Sequence, residues 1–301
     1  MILEARGRRL ELGGRPLLMG IVNATPDSFS DGGELTTAAA RVARGREQLA
    51  AGADIVDVGG ESARGDTPPV AAEDEIERVI GVVEPLARAG ALVSVDTYKP
   101  AVAEAAVTAG AAMLNDVSGL ADPALAEVCA RSGAALVITH TRVAPKGTLL
   151  DPDAYDDVVA DVVAFLRDRM ALARSHGVAL AQIVLDPGPD FAKTPAQTIA
   201  VLRRLDAVVA LGRPVLLAVS RKDFLAAITG RAPRERGAGT LAALAAGVDA
   251  GARIVRVHDV AAAADFLAVR SVLRGERDLG RAEGLTAQRY PGGPPRHLAL
   301  D

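Results

Sequence analysis

Eight short apolar runs in this chain each end on side chains able to do chemistry. The first ends at Asn23, and the second passes through Asp57 into Gly59-Gly60-Glu61-Ser62-Ala63-Arg64. The third leads to Asp96-Thr97, the fourth to Asn115-Asp116, and the fifth to Thr139-His140-Thr141. The sixth opens into Asp186-Pro187-Gly188-Pro189-Asp190-Phe191-Ala192-Lys193, the seventh into Ser220-Arg221-Lys222, and the eighth into Arg256-Val257-His258-Asp259. Arg256 and His258 stand two apart, so on an extended strand they share a face, and that pairing suits an anion better than a packed core histidine. Taken alone, Asp96-Thr97 before Lys99-Pro100 could simply cap a helix. A solvated loop does not explain eight such endings together.

Residues 23–33 run Asn-Ala-Thr-Pro-Asp-Ser-Phe-Ser-Asp-Gly-Gly. A plain strand-to-helix turn needs only a few residues, and this segment runs to about ten. A long polar loop after a buried strand is what a barrel enzyme sets over its active site.

The runs that must position these groups are near-continuous rather than alternating, as in parallel strands covered on both faces. They predict strands at 18–22, 55–58, 92–95, 113–114, 135–139, 183–185, 215–219 and 254–257. Ala-, Glu- and Arg-rich segments between them predict helices at 38–51, 74–89, 100–109, 123–132, 155–176, 195–205, 240–250 and 261–273. Eightfold strand–helix alternation predicts a (β/α)8 TIM barrel, whose strand ends converge on one mouth. A doubly wound open sheet would usually carry a Gly-rich phosphate turn after an early strand, and none of these loops fits one. Residues 2–16 read as a short N-terminal hairpin closing the lower end. Residues 1–275 read as a single domain, and 276–301, with Pro-Gly-Gly-Pro-Pro and no periodicity, as a loosely ordered tail.

Half of the 301 residues are hydrophobic, aromatics are 3% and Trp is absent, so the core must be aliphatic. A net charge of −4 argues against a partner bound by general phosphate neutralisation, such as nucleic acid, yet allows a local positive pocket. The single cysteine, Cys129, has helical spacing and reads as a small core residue; neither an internal disulfide nor a cysteine metal site follows. No run has the apolar length of a membrane span, and the N-terminus lacks the apolar stretch of a secretory signal. A cytoplasmic protein is expected.

The 23–33 segment resembles the first signature of the dihydropteroate synthases, with Ala24 where that family usually has Val. The other strand-end motifs follow the family in order and approximate spacing from about residue 9 to residue 273. The resemblance implies a (β/α)8 barrel joining 6-hydroxymethyl-7,8-dihydropterin diphosphate to p-aminobenzoate, with Mg2+ required. By resemblance, Asp96, Asn115, Asp186 and Lys222 line the pterin pocket, and Arg221 stacks on the pterin face. The chemistry suits: carboxylates accept from ring N–H groups, Asn both donates and accepts, and Lys donates to ring oxygen or nitrogen. Asn23, Arg64, Arg256 and His258 are implied at the diphosphate, with Asn23 at the metal. Asp96, Asp186, Lys222, Arg256 and His258 carry the chemistry. Thr25, Pro26, Asp27, Phe29, Ala63, Phe191, Ser220 and Asp223 form the loops and the acceptor side. The family also implies a homodimer, small-molecule substrates, and neither a nucleic-acid nor a membrane partner.

Three stretches depart from the family pattern: Ala63-Arg64-Gly65-Asp66 for Thr-Arg-Pro-Gly, which loses a hydroxyl and a stiffening Pro; Thr139-His140-Thr141 for Met-His-Met, which removes polarizable apolar surface near the pterin; and Asp223 for a Ser that the resemblance puts close to the acceptor's carboxylate. A carboxylate at 223 facing the acceptor's carboxylate would be repelled by about 4 kcal/mol at about 4 Å and an effective dielectric of about 20. Asp223 is therefore expected either to oppose that acceptor, or to point away or pair with Arg142 or Arg64. Asp223, Ala63 and Thr139 support an alternative: a divergent paralogue that binds pterin diphosphate with altered or no acceptor chemistry. A third reading, a pterin-binding methyltransferase, does not account for the 23–33 loop or the Arg256/His258 pair.

Overall fold

The computed structural model describes residues 1–24, 37–62 and 67–278. Strands β1 (Ile2–Ala5) and β2 (Arg8–Glu11) pair antiparallel, with Ile2 opposite Glu11. The two-residue turn between them, Arg6-Gly7, takes positive φ at both positions, the twist that a tight hairpin needs.

Eight parallel strands follow: β3 (Leu17–Asn23), β4 (Ile55–Gly59), β5 (Val93–Asp96), β6 (Met113–Asp116), β7 (Ala135–Thr139), β8 (Ile183–Asp186), β9 (Leu216–Leu217) and β10 (Ile254–Val257). Their order is β8-β7-β6-β5-β4-β3-β10-β9. A parallel bridge between Leu185 and Val215, with Leu185 N–H donating to Pro214 O at 2.9 Å, joins the two ends. The sheet is thus a nearly closed barrel, as the eightfold alternation predicts. Its strands are buried on both faces, which is why they read as unbroken apolar runs.

Among the described residues ten α-helices accompany the strands: α1 (Ala38–Ala50), α2 (Ala72–Arg88), α3 (Pro100–Ala109), α4 (Ala124–Ser132), α5 (Val158–Ser175), α6 (Pro195–Arg203), α7 (Leu205–Val209), α8 (Asp223–Thr229), α9 (Gly237–Asp249) and α10 (Val260–Leu273). Local chemistry sets many of their ends. Thr37 and Asp157 accept from the first-turn N–H groups of α1 and α5, and Thr194 with Gln197 makes a capping box behind Pro195. Gly110, Gly133 and Gly230 close α3, α4 and α8 in the left-handed conformation.

Side-chain alternation divides the barrel interior into layers. At the strand N-termini Met19, Ile55, Met113, Val137, Val184 and Ile254 form one apolar cluster, joined by Leu3, Ala5 and Leu12 of the hairpin region. The hairpin therefore plugs the lower end, as expected. Two residues further along, the same face carries Asp57, Asn115, Thr139, Asp186 and Arg256. Polarity rises towards the carboxyl ends because the period of two holds each strand to a single inward row.

The chain divides into two compact units, Met1–Ala264 and Asp265–Asp301. All barrel strands lie in the first. In the second, Arg270 Nη1 pairs with Glu276 Oε1 at 3.1 Å. Most of the expected tail, 279–301, lies outside the described residues. No helix among the described residues is long and apolar enough to cross a membrane.

Candidate active site

Register brings the strand-end groups together. Gly59 of β4 lies beside Asp96 of β5, Asp96 beside Asn115 of β6, and Thr139 of β7 beside Asp186 of β8. Arg256 reaches across this ring. Its Nε donates to Asp57 Oδ2 at 2.7 Å and its Nη2 to Asp96 Oδ2 at 2.9 Å. Asn115 Nδ2 donates to the same Asp57 oxygen at 3.3 Å. Asp57 Oδ1 and the single amide oxygen of Asn115 are buried without a hydrogen-bond partner among the described residues, as are the hydroxyls of Ser94 and Thr139. Buried polar atoms are nearly always satisfied, so such a set in one layer marks a place built for a polar ligand.

The electrostatics are those of a desolvated charge cluster. Burial, with Asp57, Glu75 and Asp116 nearby, pushes the Asp96 carboxyl up to about 7 against the pull of Arg256. Burial raises Asp186 too, although Gly188 N–H donates to its Oδ1 at 2.7 Å. Burial lowers Lys222, against the stabilising charges of Asp190 and Asp186. Arg256 is raised because Asp57 and Asp96 outweigh its own burial cost.

Lys222 stands at the N-terminus of α8 with its Nζ 4.4 Å from the centre of the Phe191 ring. The structure thus joins Phe191, expected on the acceptor side, to a residue expected to hold the pterin. His258 shares the inward face with Arg256. Its Nδ1 lies 2.9 Å from Ser220 Oγ. Burial, then Arg221, Arg256 and Lys222, lower it to about 3, so it is a neutral imidazole and a hydrogen-bonding group rather than a standing cation.

Arg221 adopts a left-handed φ of 60° and lines a cavity with Arg234, Thr240 and Asp259, whereas a different cavity is bordered by Asp96, Phe191 and Glu61. Asp223 is the first residue of α8. Its side chain is 85% exposed, and its Oδ1 accepts from Arg236 Nη1 at 2.9 Å. It pairs with neither of the arginines considered from sequence: Arg142 is engaged by Asp161, and Arg64 lies outside the described residues. Arg236 was out of view because it approaches from the turn before α9 and also binds the carbonyls of Arg221 and Lys222. Thr25, Pro26, Asp27, Phe29 and Ala63 likewise lie outside the described residues.

Several site groups were not singled out from sequence. Asp57 was noted only as a strand ending, yet it anchors Arg256. Glu61 receives Lys99 at 2.5 Å and Lys146 at 3.1 Å, tying together the loops after β4, β5 and β7. Lys193, just before α6, closes the polar run after the sixth strand, where the sequence gives it no role, and proves buried. Its only local sequence signal is the Thr194-Pro195 cap, which says nothing of side-chain direction.

Among the described residues no three His, Cys, Asp or Glu side chains are grouped to hold a metal. Asn23, half-buried at the end of β3, offers an amide oxygen. That suits Mg2+, which keeps waters and takes most of its other oxygens from substrate phosphates rather than from a protein cage.

A parallel barrel with a cation-bearing, carboxylate-rich mouth defines a (β/α)8 enzyme scaffold built for a polar heterocycle and an anion. Residues 19–258 match the pterin binding enzyme family. The chain is similar to the dihydropteroate synthase of Bacillus subtilis, 40% identical over 261 residues, covering 86% of this chain and 89% of that protein. It is 42% identical over 266 residues to a probable bifunctional folylpolyglutamate synthase/dihydropteroate synthase of Haloferax volcanii, covering 88% of this chain but spanning only 31% of that longer protein. The dihydropteroate synthase of Xanthomonas albilineans, solved with 4-aminobenzoic acid, superposes with a TM-score of 0.83 at 42% identity, over 91% of this chain and 99% of that one. The same enzyme solved with 7,8-dihydropteroate gives 0.80 at the same identity and coverage. The chain belongs to the pterin-binding enzyme family, on its dihydropteroate synthase branch.

Proposed function

We propose that this chain is a dihydropteroate synthase, condensing 6-hydroxymethyl-7,8-dihydropterin diphosphate with p-aminobenzoate to give 7,8-dihydropteroate and diphosphate. The observation that carries this is the ring of Asp57, Asp96, Asn115 and Asp186 crossed by Arg256, with buried acceptor oxygens of Asp57 and Asn115 unpartnered. A pterin presents an amide edge and a 2-amino group, and these atoms match them. A desolvated site whose polar groups need partners discriminates strongly against rings that lack them.

In this reading Asp96, Asn115 and Asp186 take the pterin N–H groups and Lys222 donates to ring oxygen or nitrogen. The bond between the methylene carbon and the diphosphate oxygen breaks, and its electron pair leaves with the diphosphate. Arg256, and the neutral His258 as a donor, stabilise the growing charge there. The carboxylates of Asp96 and Asp186 stabilise the electron-poor methylene conjugated with the ring. The amine nitrogen of p-aminobenzoate then bonds to that carbon and loses a proton. Asn23 would hold Mg2+, which would supply further neutralisation of the leaving group when bound. By resemblance Arg64 is expected at the diphosphate and the 25–30 loop on the acceptor side; both lie outside the described residues. Cytoplasmic residence and a homodimer belong to the same proposal, and light scattering on the purified chain tests the latter.

The deciding experiment is diphosphate release from the pterin diphosphate with Mg2+, with and without p-aminobenzoate, using Lys222→Ala as control. Acceptor-dependent release with dihydropteroate as product is expected. Pterin-diphosphate binding without acceptor-dependent release would instead support the divergent paralogue. Asp223, the main ground for that alternative, is engaged by Arg236.

A further inference from the structure

Among the described residues Lys193 is the largest fully buried side chain, 1% exposed. Among them it forms no ion pair with a carboxylate. Its Nζ lies 2.7 Å from His140 Nδ1, 2.9 Å from Gly188 O and 3.0 Å from Phe191 O, with His140 O at 3.4 Å. An ammonium has three protons and no acceptor, so the three close partners account for all of them. With Lys193 protonated, His140 Nδ1 accepts. The ring proton sits on Nε2 and donates to Asp161 Oδ1 at 2.9 Å. Arg142 closes the chain on Asp161, while Tyr155 Oη donates to Ala192 O at 2.6 Å. Burial holds Lys193 down to about 7, a cost met only where structure enforces the arrangement.

What this ammonium grips is the loop after β8. That loop is held in an uncommon shape: Gly188, Asp190 and Ala192 all have positive φ, at 65°, 61° and 49°. A Cβ at Gly188 would sit 2.1 Å from His140 O, so the loop lies tight against β7. From it Asp186 receives the Gly188 N–H, Phe191 faces Lys222, and Asp190 Oδ2 accepts Asp223 N–H at 2.5 Å and Phe224 N–H at 3.3 Å, capping α8. Three pieces of the site thus depend on a loop conformation that its own residues disfavour.

We propose that Lys193 is a positioning residue for the reaction, its buried ammonium bracing the 187–192 loop against His140 so that Asp186 and Phe191 stand correctly about Lys222. Lys193 touches no reacting atom in this scheme. The kinetic part rests on the synthase reading above; the conformational part does not.

The test uses Lys193→Met, which keeps the stem and removes the donors, and Lys193→Gln, which keeps two N–H donors. Expected is a rise of about tenfold or more in KM for both substrates with Lys193→Met, kcat changing by no more than about threefold, and a smaller rise with Lys193→Gln. A role confined to general stability would lower the active fraction, and so kcat, at unchanged KM. The chain has no tryptophan, so Phe191→Trp supplies a single reporter of the loop. Adding Lys193→Met or Lys193→Gln to it should red-shift the emission and raise acrylamide quenching at unchanged far-UV circular dichroism. If Lys193→Met does not fold, Lys193→Gln carries both measurements. Wild-type KM values and unshifted emission in either folded variant overturn the proposal. Absence of acceptor-dependent turnover in the parent chain would count against the synthase reading, and the emission would still decide the bracing role.

Discussion

Asp96 holds the least settled charge in the site. Burial raises its carboxyl to about 7, and Arg256 opposes that rise. As pH falls through this range the carboxylate takes a proton and ceases to be a charged acceptor for a ring N–H and a partner for Arg256. We therefore expect kcat/KM for the pterin diphosphate to fall on the acid side of about pH 7, and Asp96→Asn to lower it at every pH while removing that limb; a pH–rate profile of both proteins checks this. Asp223 gives a prediction of the opposite kind. Its carboxylate is exposed and bound to Arg236, so Asp223→Ser should change KM for p-aminobenzoate by no more than about twofold. A marked fall in that KM would mean that the carboxylate does oppose the acceptor.

Arg236 shows how one side chain can organise a junction between elements. It donates to the carbonyls of Arg221, Lys222 and Arg231 as well as to Asp223, fixing the turn from β9 into α8. The loop after β8 is the other such junction. Gly188→Ala would meet both a positive φ and a backbone oxygen 2.1 Å away, so something in β7 or the loop must shift. A loss of about 2–4 kcal/mol in denaturant unfolding is expected, together with weaker pterin binding because Asp186 loses its Gly188 donor. Element limits differ from the sequence reading where local signals are short. α8 spans seven residues, too few to display a 3.6-residue period, and went unseen. The helix expected over 195–205 breaks at Arg204 into α6 and α7, and the seventh barrel strand contracts to Leu216–Leu217.

The barrel as a whole separates stability from chemistry by depth. Its lower interior is apolar and sealed by the hairpin, where Leu3 is fully buried against the interior rows of the strands. Leu3→Ala should cost about 2–5 kcal/mol in thermal or denaturant unfolding while leaving both KM values unchanged, since the cavity opens at the end away from the mouth. A KM change at full folding would show the two ends to be coupled. The mouth carries the opposite arrangement: few apolar contacts, many buried charges, and polar atoms with no partner of their own.

Much of this was already written in the chain. Unbroken apolar runs, eight in number with helices between them, specify parallel strands covered on both faces, and a barrel follows. Asp96, Asn115, Asp186, Lys222, Arg256 and His258 each end or follow a strand, and strand ends converge in that fold; Asp57 shares that position, and what singled out the six was the resemblance of their motifs to the family. Sequence spacing says nothing about which side chains meet in the site, because those contacts join residues 13 to 199 positions apart through register, turns and closure. Hence the tertiary structure alone decided that Arg256 bridges Asp57 and Asp96, that Asp223 turns to Arg236, and that His258 is neutral. It also decided that Lys193, in sequence only the last polar residue of the run after the sixth strand, lies buried under the loop that shapes the site.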